Sequence, residues 1–409
     1  MRNSLATLLS ACVALLVSAT VVRAQVPVLP FESGQGNLRL GPVRVHPFLG
    51  VAELYDDNLF LQPTDKKDDF ITVLSPGLTF HLPLGRHDFT IGYRADFLEF
   101  ARFSQENTVR HDGKVGLRGK YPGGLSWYAQ DEALRTNERP NTEQDPLIER
   151  TQNNAAVGTE YAFANRWAAG VDYYNTIYDY GNQQPLPDGT LRDYGTQLNR
   201  MEQLVTTDLY YLVQPKTALL VEYGYGKINF SSDATAADRD STVHLGRAGV
   251  RGEITSKLTA LVKLGYQTLD FDNHTRKNFE GFVASVDLVY LPAERTKIDL
   301  LIDRSTPVAS FISQGDAFFV SNSVTLTIQQ VLRNRMRGFV SGTFANNSYE
   351  QSARSDDYYA GAVGLNYQIE EYLGVSAAYL HARRNSSGTP GLDFDYNENR
   401  VFVAATAAL

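Results

Sequence analysis

Charged side chains recur at every second position in several segments of the chain, a spacing that could line a water-filled passage. In segment 109–121, Arg110, Asp112, Lys114 and Arg118 occupy alternate positions. In a β-strand these side chains would point to one side. They could guide an anionic polymer or solute, or they could form cross-strand ion pairs that rigidify a wall. The interleaved acids favour the second interpretation.

Neighbouring and later segments add charged residues with the same spacing. Arg94 and Asp96 lie in the segment before 109–121, and Glu132 lies in the segment after it. Further residues expected to line the passage occur in four later segments: Glu222, Lys263, Asp287, Lys297 and Asp299.

Motifs for catalysis or metal binding are missing from the sequence. The seven histidines are scattered, and neither a Gly-x-Ser-x-Gly elbow nor a His-Glu-x-x-His pair occurs. Cys12 is the single cysteine and lies in a predicted export signal, which excludes a disulfide framework and a Cys-ligated zinc site from the mature chain. We therefore expect no enzyme, no catalytic residue, no metal and no cofactor.

The N-terminus has the order of an export signal. Arg2 is followed by an apolar stretch from Leu5 to Val22 and by a small residue, Ala24. This predicts a signal peptide over 1–24 that is cleaved near Ala24. An alternative is lipidation of Cys12 in Leu9-Ser10-Ala11-Cys12, but the apolar run before it is short. Residues 25–42 would then form a periplasmic leader, and residues 43–409 one barrel domain.

Charge and hydropathy exclude other classes of protein. Cleavage would remove Arg2 and Arg23 and no acid, so the net charge would change from −8 to −10. An acidic chain without a basic stripe is a poor nucleic-acid binder. After the signal, no apolar run approaches the roughly 18 residues of a transmembrane helix. A barrel remains possible, because only alternate residues of its strands face lipid.

The alternation itself predicts long strands. Phe89, Ile91, Tyr93, Ala95 and Phe97 alternate with polar residues or glycine, which gives a strand one apolar face. The pattern predicts an all-β, transmembrane, antiparallel up-and-down barrel of about eighteen strands: 43–55, 69–82, 88–100, 109–121, 125–136, 149–163, 167–180, 200–213, 217–230, 241–254, 258–270, 277–291, 295–307, 318–331, 335–350, 357–369, 372–384 and 396–409.

Connections of two lengths alternate between these strands. Short turns such as Leu84-Gly85-Arg86-His87 alternate along the chain with long polar stretches such as 181–199. This arrangement is typical of outer-membrane barrels, with short periplasmic turns and longer extracellular loops. A soluble propeller or sandwich is the alternative, because a hairpin recurs about every 41 residues. A propeller blade would need four short strands in that space.

Tyrosines cluster near the predicted strand ends and suggest an aromatic girdle at the membrane interface. Ordinary β-propensity is the alternative explanation. The residues concerned are Tyr173, Tyr174, Tyr178, Tyr180, Tyr210, Tyr211, Tyr358 and Tyr359.

Two short motifs carry a family resemblance. Tyr55-Asp56-Asp57-Asn58 leaves the first strand, and Leu74-Ser75-Pro76-Gly77-Leu78 lies in the second. The pair resembles a family of outer-membrane β-barrels associated with exopolysaccharide and capsule biosynthesis, whose members have no established catalytic set. The last strand is similar to the terminal strand read by the barrel-assembly machinery, although Leu409 stands where an aromatic residue is common. We expect the Tyr-Asp-Asp-Asn segment to start a turn, with its acids in solvent.

Two functions follow from these observations. The resemblance implies a conduit or accessory for exopolysaccharide export in the outer membrane of a Gram-negative bacterium. The expected partners are outer-membrane lipid, lipopolysaccharide, the barrel-assembly machinery, the polysaccharide and periplasmic export proteins, and no nucleic acid. The alternative is a general diffusion porin for small hydrophilic solutes, because eighteen strands enclose more space than their side chains fill. Inward-folded loops would favour the porin, and a periplasmic partner would favour export.

Overall fold

Alternation of apolar and polar residues produces one antiparallel sheet that closes on itself. The computed structural model describes residues 38–140, 147–181, 184–185, 191–231, 239–310, 316–388 and 394–409. The predicted signal peptide and most of the predicted leader lie outside these residues. Residues 38–40 of the leader form a short strand, β1, which pairs with the start of β2.

Eighteen long strands make the wall, and each end lies within three residues of its predicted position. In chain order they are β2 (Val43–Asp56), β3 (Asp69–Leu84), β4 (His87–Phe100), β5 (Thr108–Lys120), β6 (Leu125–Thr136), β7 (Arg150–Phe163), β8 (Trp167–Tyr180), β11 (Arg200–Gln214), β12 (Thr217–Phe230), β13 (Ser241–Thr255), β14 (Leu258–Phe271), β15 (Phe279–Ala293), β16 (Thr296–Ser305), β17 (Phe319–Arg333), β18 (Met336–Tyr349), β19 (Ser355–Glu370), β20 (Leu373–Ser387) and β21 (Tyr396–Ala408).

The remaining described elements are short and lie at the ends of the wall or in its long connections. They are β1 (Leu38–Leu40), β9 (Gln184–Pro185), β10 (Leu191–Arg192), a 3₁₀ turn (Ser104–Glu106) and helix α1 (Gly195–Leu198). No helix in the described part of the chain is long and apolar enough to cross a membrane.

Closure depends on the pairing of the first long strand with the last. β2 bonds to β3 along one edge, and along the other edge it bonds to β21, from Phe48 opposite Ala408 to Asp56 opposite Arg400. The sheet therefore has no free edge among the long strands, as lipid requires. Eight short turns and nine long connections join the strands, as predicted.

The two faces of the wall differ in chemistry. Large apolar side chains such as Val221, which is 62% exposed, cover the outer face. Charged residues such as Arg94, glycines such as Gly116 and hydroxyl-bearing residues such as Thr325 lie on the inner face. Of the tyrosines predicted to form the girdle, Tyr173, Tyr211 and Tyr359 occupy alternate strand positions whose side chains point outward. The girdle prediction is wrong for the others, because adjacent residues of a strand point to opposite faces. Those that point inward are Tyr174, Tyr178, Tyr180, Tyr210 and Tyr358.

A ring of polar pairs borders the apolar exterior near the long connections. Each of the nine hairpins with a long connection carries at least one outward side-chain hydrogen bond between its two strands or at their ends, and one pair from each is named here. The nine pairs are Glu53–Thr72, Tyr93–His111, Asp131–Asn153, Tyr173–Gln203, Tyr223–His244, Asp270–Asn278, Arg304–Asn322, Asn346–Asp357 and Tyr379–Asn399. We refer to them as the outer polar ring.

The lipid-facing assignment makes a direct prediction about stability. A charge at Val221 would lie in hydrocarbon, so Val221→Arg should destabilise the folded barrel by about 2–4 kcal/mol. Gln130→Arg is the control, because Gln130 lies on the inner face of β6 and should change stability by less than about 1 kcal/mol. Urea unfolding in phospholipid vesicles measures both, and equal losses would contradict the assignment.

Candidate functional site

The inner face of β4, β5 and β6 holds the first group of predicted passage residues. The cross-strand pairs are Arg94–Asp112, Asp96–Arg110 and Lys114–Glu132. Lys114 Nζ lies 2.9 Å from Glu132 and 3.2 Å from Asp112, and Arg94 Nε lies 3.3 Å from Asp96. Arg118 makes a longer ion pair, with its Nε 3.9 Å from the Asp88 carboxylate. The row is thus a ladder of ion pairs on one wall.

The other predicted residues form two separate groups. Glu222 on β12 accepts hydrogen bonds at 2.5 Å from Lys263 on β14 and from Arg247 on β13. On β15 and β16, Asp287 and Asp299 share the inner face with Lys297, and Lys297 Nζ is 2.9 Å from Asp299. The three groups occupy different sectors of the wall and do not meet.

The sector from β7 to β14 is packed. Arg251 on β13 reaches across β12, β11 and β8 to Glu160 on β7, with N–O distances of 2.9 and 3.0 Å. Its guanidinium lies over the Tyr210 ring, 3.4 Å from the centroid. On β7, Gly158 leaves room for the Tyr128 ring, and a Cβ there would come within 2.5 Å of that ring. Side chains therefore fill the interior along this sector.

The sector around β4 and β5 is open. A Cβ added at Gly116, on the inner face of β5, would meet no atom within 4 Å. Thr90 and Gly92 lie next to Gly116 on the inner face of β4, so the wall here is flat. Lys114 and Arg118 flank this flat area along β5. Free space inside the barrel is therefore found along the first ion-pair ladder.

Another sector of the inner face, on β17 and β18, is lined by small polar residues. Thr325 bonds to Thr343 at 3.0 Å, and Thr327 bonds to Ser341 at 2.8 Å. All four side chains are half-buried and point inward. These short hydroxyl-bearing side chains fill little of the interior.

The Tyr-Asp-Asp-Asn motif ties the first strand to the last at the outer end of the barrel. Asp56 accepts a hydrogen bond from Arg400 Nε at 3.1 Å. Asp57 accepts two bonds from Asn399, through its main-chain N–H and its side-chain amide, both at 2.6 Å. Tyr55 packs on Phe70 with ring centroids 4.8 Å apart. The motif therefore continues the β2–β21 closure through side chains.

The expectation that the motif's acids stay in solvent is wrong for Asp56, which is buried. Asn58 is fully buried and donates to the carbonyls of Gln62 and Asn397 at 2.8 and 2.9 Å. Its side-chain oxygen accepts from the Gln62 main-chain N–H at 2.9 Å. The burial comes from partners near the C-terminus, which local turn chemistry does not reveal.

The loop that follows the motif, residues 57–68, folds into the outer mouth. Leu59 packs with inward-facing side chains of β3 and β4, including Ile71 and Leu98. Leu61 packs in a cluster with inward-facing side chains of β18 to β21, including Phe339 and Leu380. Leu61 has a φ of +52°, in the left-handed region that few residues other than glycine adopt. Packing of its side chain inside the barrel supports this conformation.

Two arginines link the long connections across the mouth. Arg139, from the loop between β6 and β7, donates to the Leu59 carbonyl at 2.7 Å. Arg239, before β13, donates to the carbonyls of Ala309 and Gln197, which belong to the connections after β16 and β8. Loops from well-separated strands are therefore joined, and the outer opening is narrower than the barrel.

The second motif shapes the inner wall beside the closure. Pro76 pairs with the outward residue Leu49, and Gly77 faces inward opposite Phe48. A Cβ at Gly77 would lie 3.3 Å from the Phe48 ring, and a Cβ at Gly50 would also lie 3.3 Å from it. The two glycines thus make room for one aromatic ring on the inner face.

The sequence prediction missed Arg247, Arg251 and the inserted leucines. The outer face of β13 carries His244, Gly246, Ala248 and Gly252, so neither face of that strand is strongly apolar and the alternation does not identify the inner one. Leu61 lies in a polar stretch, where nothing local indicates burial. Among the described residues, no group of three His, Asp or Glu side chains could hold a metal ion.

A closed barrel of eighteen antiparallel strands, with an apolar exterior and a charged interior, defines an outer-membrane β-barrel of the porin class. Residues 33–409 match the family described as "Putative beta-barrel porin 2", and the chain belongs to that family. No curated protein is similar enough in sequence to match the chain.

Solved barrels resemble the chain in fold alone. OpdQ of Pseudomonas aeruginosa is 11% identical over 90% of this chain and 98% of its own, with a TM-score of 0.48. OccAB3 of Acinetobacter baumannii is 10% identical over 90% and 100%, with a TM-score of 0.47. The ferric enterobactin receptor PfeA of P. aeruginosa, in complex with enterobactin, is 9% identical over 89% and 81%, with a TM-score of 0.46.

The buried motif makes a testable contribution to stability. Asn58→Ala removes three hydrogen bonds and leaves main-chain groups of Gln62 and Asn397 unpaired, so it should lower stability by about 1–3 kcal/mol. Gln62→Ala is the matched control, since Asn58 contacts only the main chain of Gln62. Unfolding of both variants in urea with lipid vesicles tests this, and an unchanged midpoint for Asn58→Ala would refute the buried role.

Proposed function

We propose that the protein is a diffusion channel of the outer membrane for small hydrophilic solutes, exported there by the signal at residues 1–24. The family description and the open inner sector around Gly116 support this function. The observation that carries it is the inward fold of residues 57–68, which narrows the mouth of a barrel whose interior is otherwise partly open. Such a mouth suits small molecules.

Exopolysaccharide export, expected from the family resemblance, has less support. A polymer would have to displace the loop of residues 57–68. Asn58 holds this loop by hydrogen bonds to the carbonyls of Gln62 and Asn397, and Arg139 donates a hydrogen bond to the Leu59 carbonyl. The same contacts leave the small-solute function unhindered. For these reasons we place diffusion ahead of export.

Reconstitution of the purified full-length protein in planar bilayers tests the proposal. We expect stepwise conductance in potassium chloride, and in liposome-swelling assays uptake of sugars that slows as their size increases. Correctly folded barrels, identified by their heat-modifiable mobility in gels, that give no conductance and no swelling would overturn the proposal.

The inserted loop gives a prediction for pore size. Leu61→Gly removes a side chain buried among inward residues of β18 to β21 and suits the positive φ at this position. We expect larger single-channel conductance and faster uptake of larger sugars. Leu49→Gly, on the outer face, is the control and should leave conductance unchanged. Equal conductance for Leu61→Gly and the wild type would show that this loop does not limit the pore.

A further inference from the structure

The cations of the β4–β5 wall extend further into water than the acids beside them. The side chains of Arg94, Lys114 and Arg118 are 50%, 57% and 50% exposed. They are long side chains whose stems lie along the wall while their charged ends reach solvent. All three point into the open sector.

Their acidic partners stay close to the wall. Asp96, Asp112 and Glu132 are 18%, 17% and 24% exposed. Asp88, beside Arg118, is more open at 44%. Four acids, Asp88, Asp96, Asp112 and Glu132, face these three cations, so the wall has no excess of positive charge. A solute in the open sector nevertheless meets the positive ends first, because they are the more exposed groups. Coulomb energy falls with distance, so the nearer charge dominates its interaction.

The three cations form a series along the route through the barrel. Lys114 and Arg118 are four residues apart on β5, and Arg94 pairs with Asp112, two residues further toward the mouth. At roughly 3.3 Å per residue, the series spans about 20 Å of strand. The step from Arg94 to Lys114 is about 7 Å along the strand and lies within the Debye length of about 8 Å at physiological salt. The step from Lys114 to Arg118 is about 13 Å and exceeds it. The attraction of Arg94 and that of Lys114 therefore overlap, and Arg118 adds a third site further along the same wall.

The opposite wall carries three acids and one cation, Lys297. Asp287, Asp299 and Asp303 lie on the inner face of β15 and β16. Asp299 is 20% exposed, whereas Lys297 beside it is 44% exposed. Within this one ion pair the cation is again more exposed than its acidic partner, so the anion preference is assigned to the β4–β5 wall alone.

We propose that Arg94, Lys114 and Arg118 make the channel selective for small anionic solutes, which move along the β4–β5 wall. This inference rests on the proposed diffusion function and adds the class of solute and the residues that select it.

Reversal potentials across a planar bilayer with a potassium chloride gradient test the inference. For the wild-type protein we expect chloride to permeate more readily than potassium by about threefold or more. The triple variant Arg94→Gln, Lys114→Gln, Arg118→Gln should abolish or reverse this preference while conductance persists. The single variant Lys114→Gln should reduce the chloride preference in part. It tests the inference even if the triple variant does not fold.

A charge-matched control uses three cations of the outer face. Arg135, Lys227 and Arg383 share the parity of outward-facing residues on β6, β12 and β20, so replacing all three by Gln should leave the selectivity unchanged. A conducting wild-type channel that prefers potassium, or a triple lumen variant that keeps the chloride preference, would overturn this inference alone. A folded protein without any conductance would overturn the diffusion function, and this inference with it.

Discussion

Closure of the sheet is the constraint on which the rest of the molecule depends. Backbone groups left unpaired in hydrocarbon cost several kcal/mol each, so the first and last strands have to find each other. The β2–β21 ladder runs from Phe48 to Asp56 and then stops. Asp57 and Asn58 continue the junction with side-chain hydrogen bonds to Asn399 and Asn397, residues more than 330 positions away.

This junction also fixes what the mouth can do. The residues that secure β2 against β21 lead directly into the loop whose Leu59 and Leu61 lie on the inner walls to either side. Sealing of the sheet and narrowing of the opening are thus performed by one continuous stretch of chain. The inner surface includes a packed sector, held by Arg251 and Glu160, an open sector around Gly116, and the sector of small polar residues on β17 and β18.

The sequence predicted the wall far better than the mouth. A period of two is a local property, so Phe89 to Phe97 identify both a strand and its outer face without any knowledge of partners. It also requires Tyr173 and Tyr174 to point to opposite sides, which the girdle hypothesis overlooked. The burial of Asp56 depends on Arg400, and the position of Leu61 depends on β18 to β21. Such long-range contacts leave no local pattern in the sequence.

The outer polar ring has a consequence for how the barrel sits in its membrane. Each of the nine pairs satisfies a hydrogen bond within its own hairpin, and together they encircle the wall next to the long connections. Sinking the barrel deeper would carry these polar groups into hydrocarbon, and tilting it would carry in those on one side. Both movements bury polar groups at a cost in free energy, so the ring opposes changes in the depth and tilt of the protein in the bilayer.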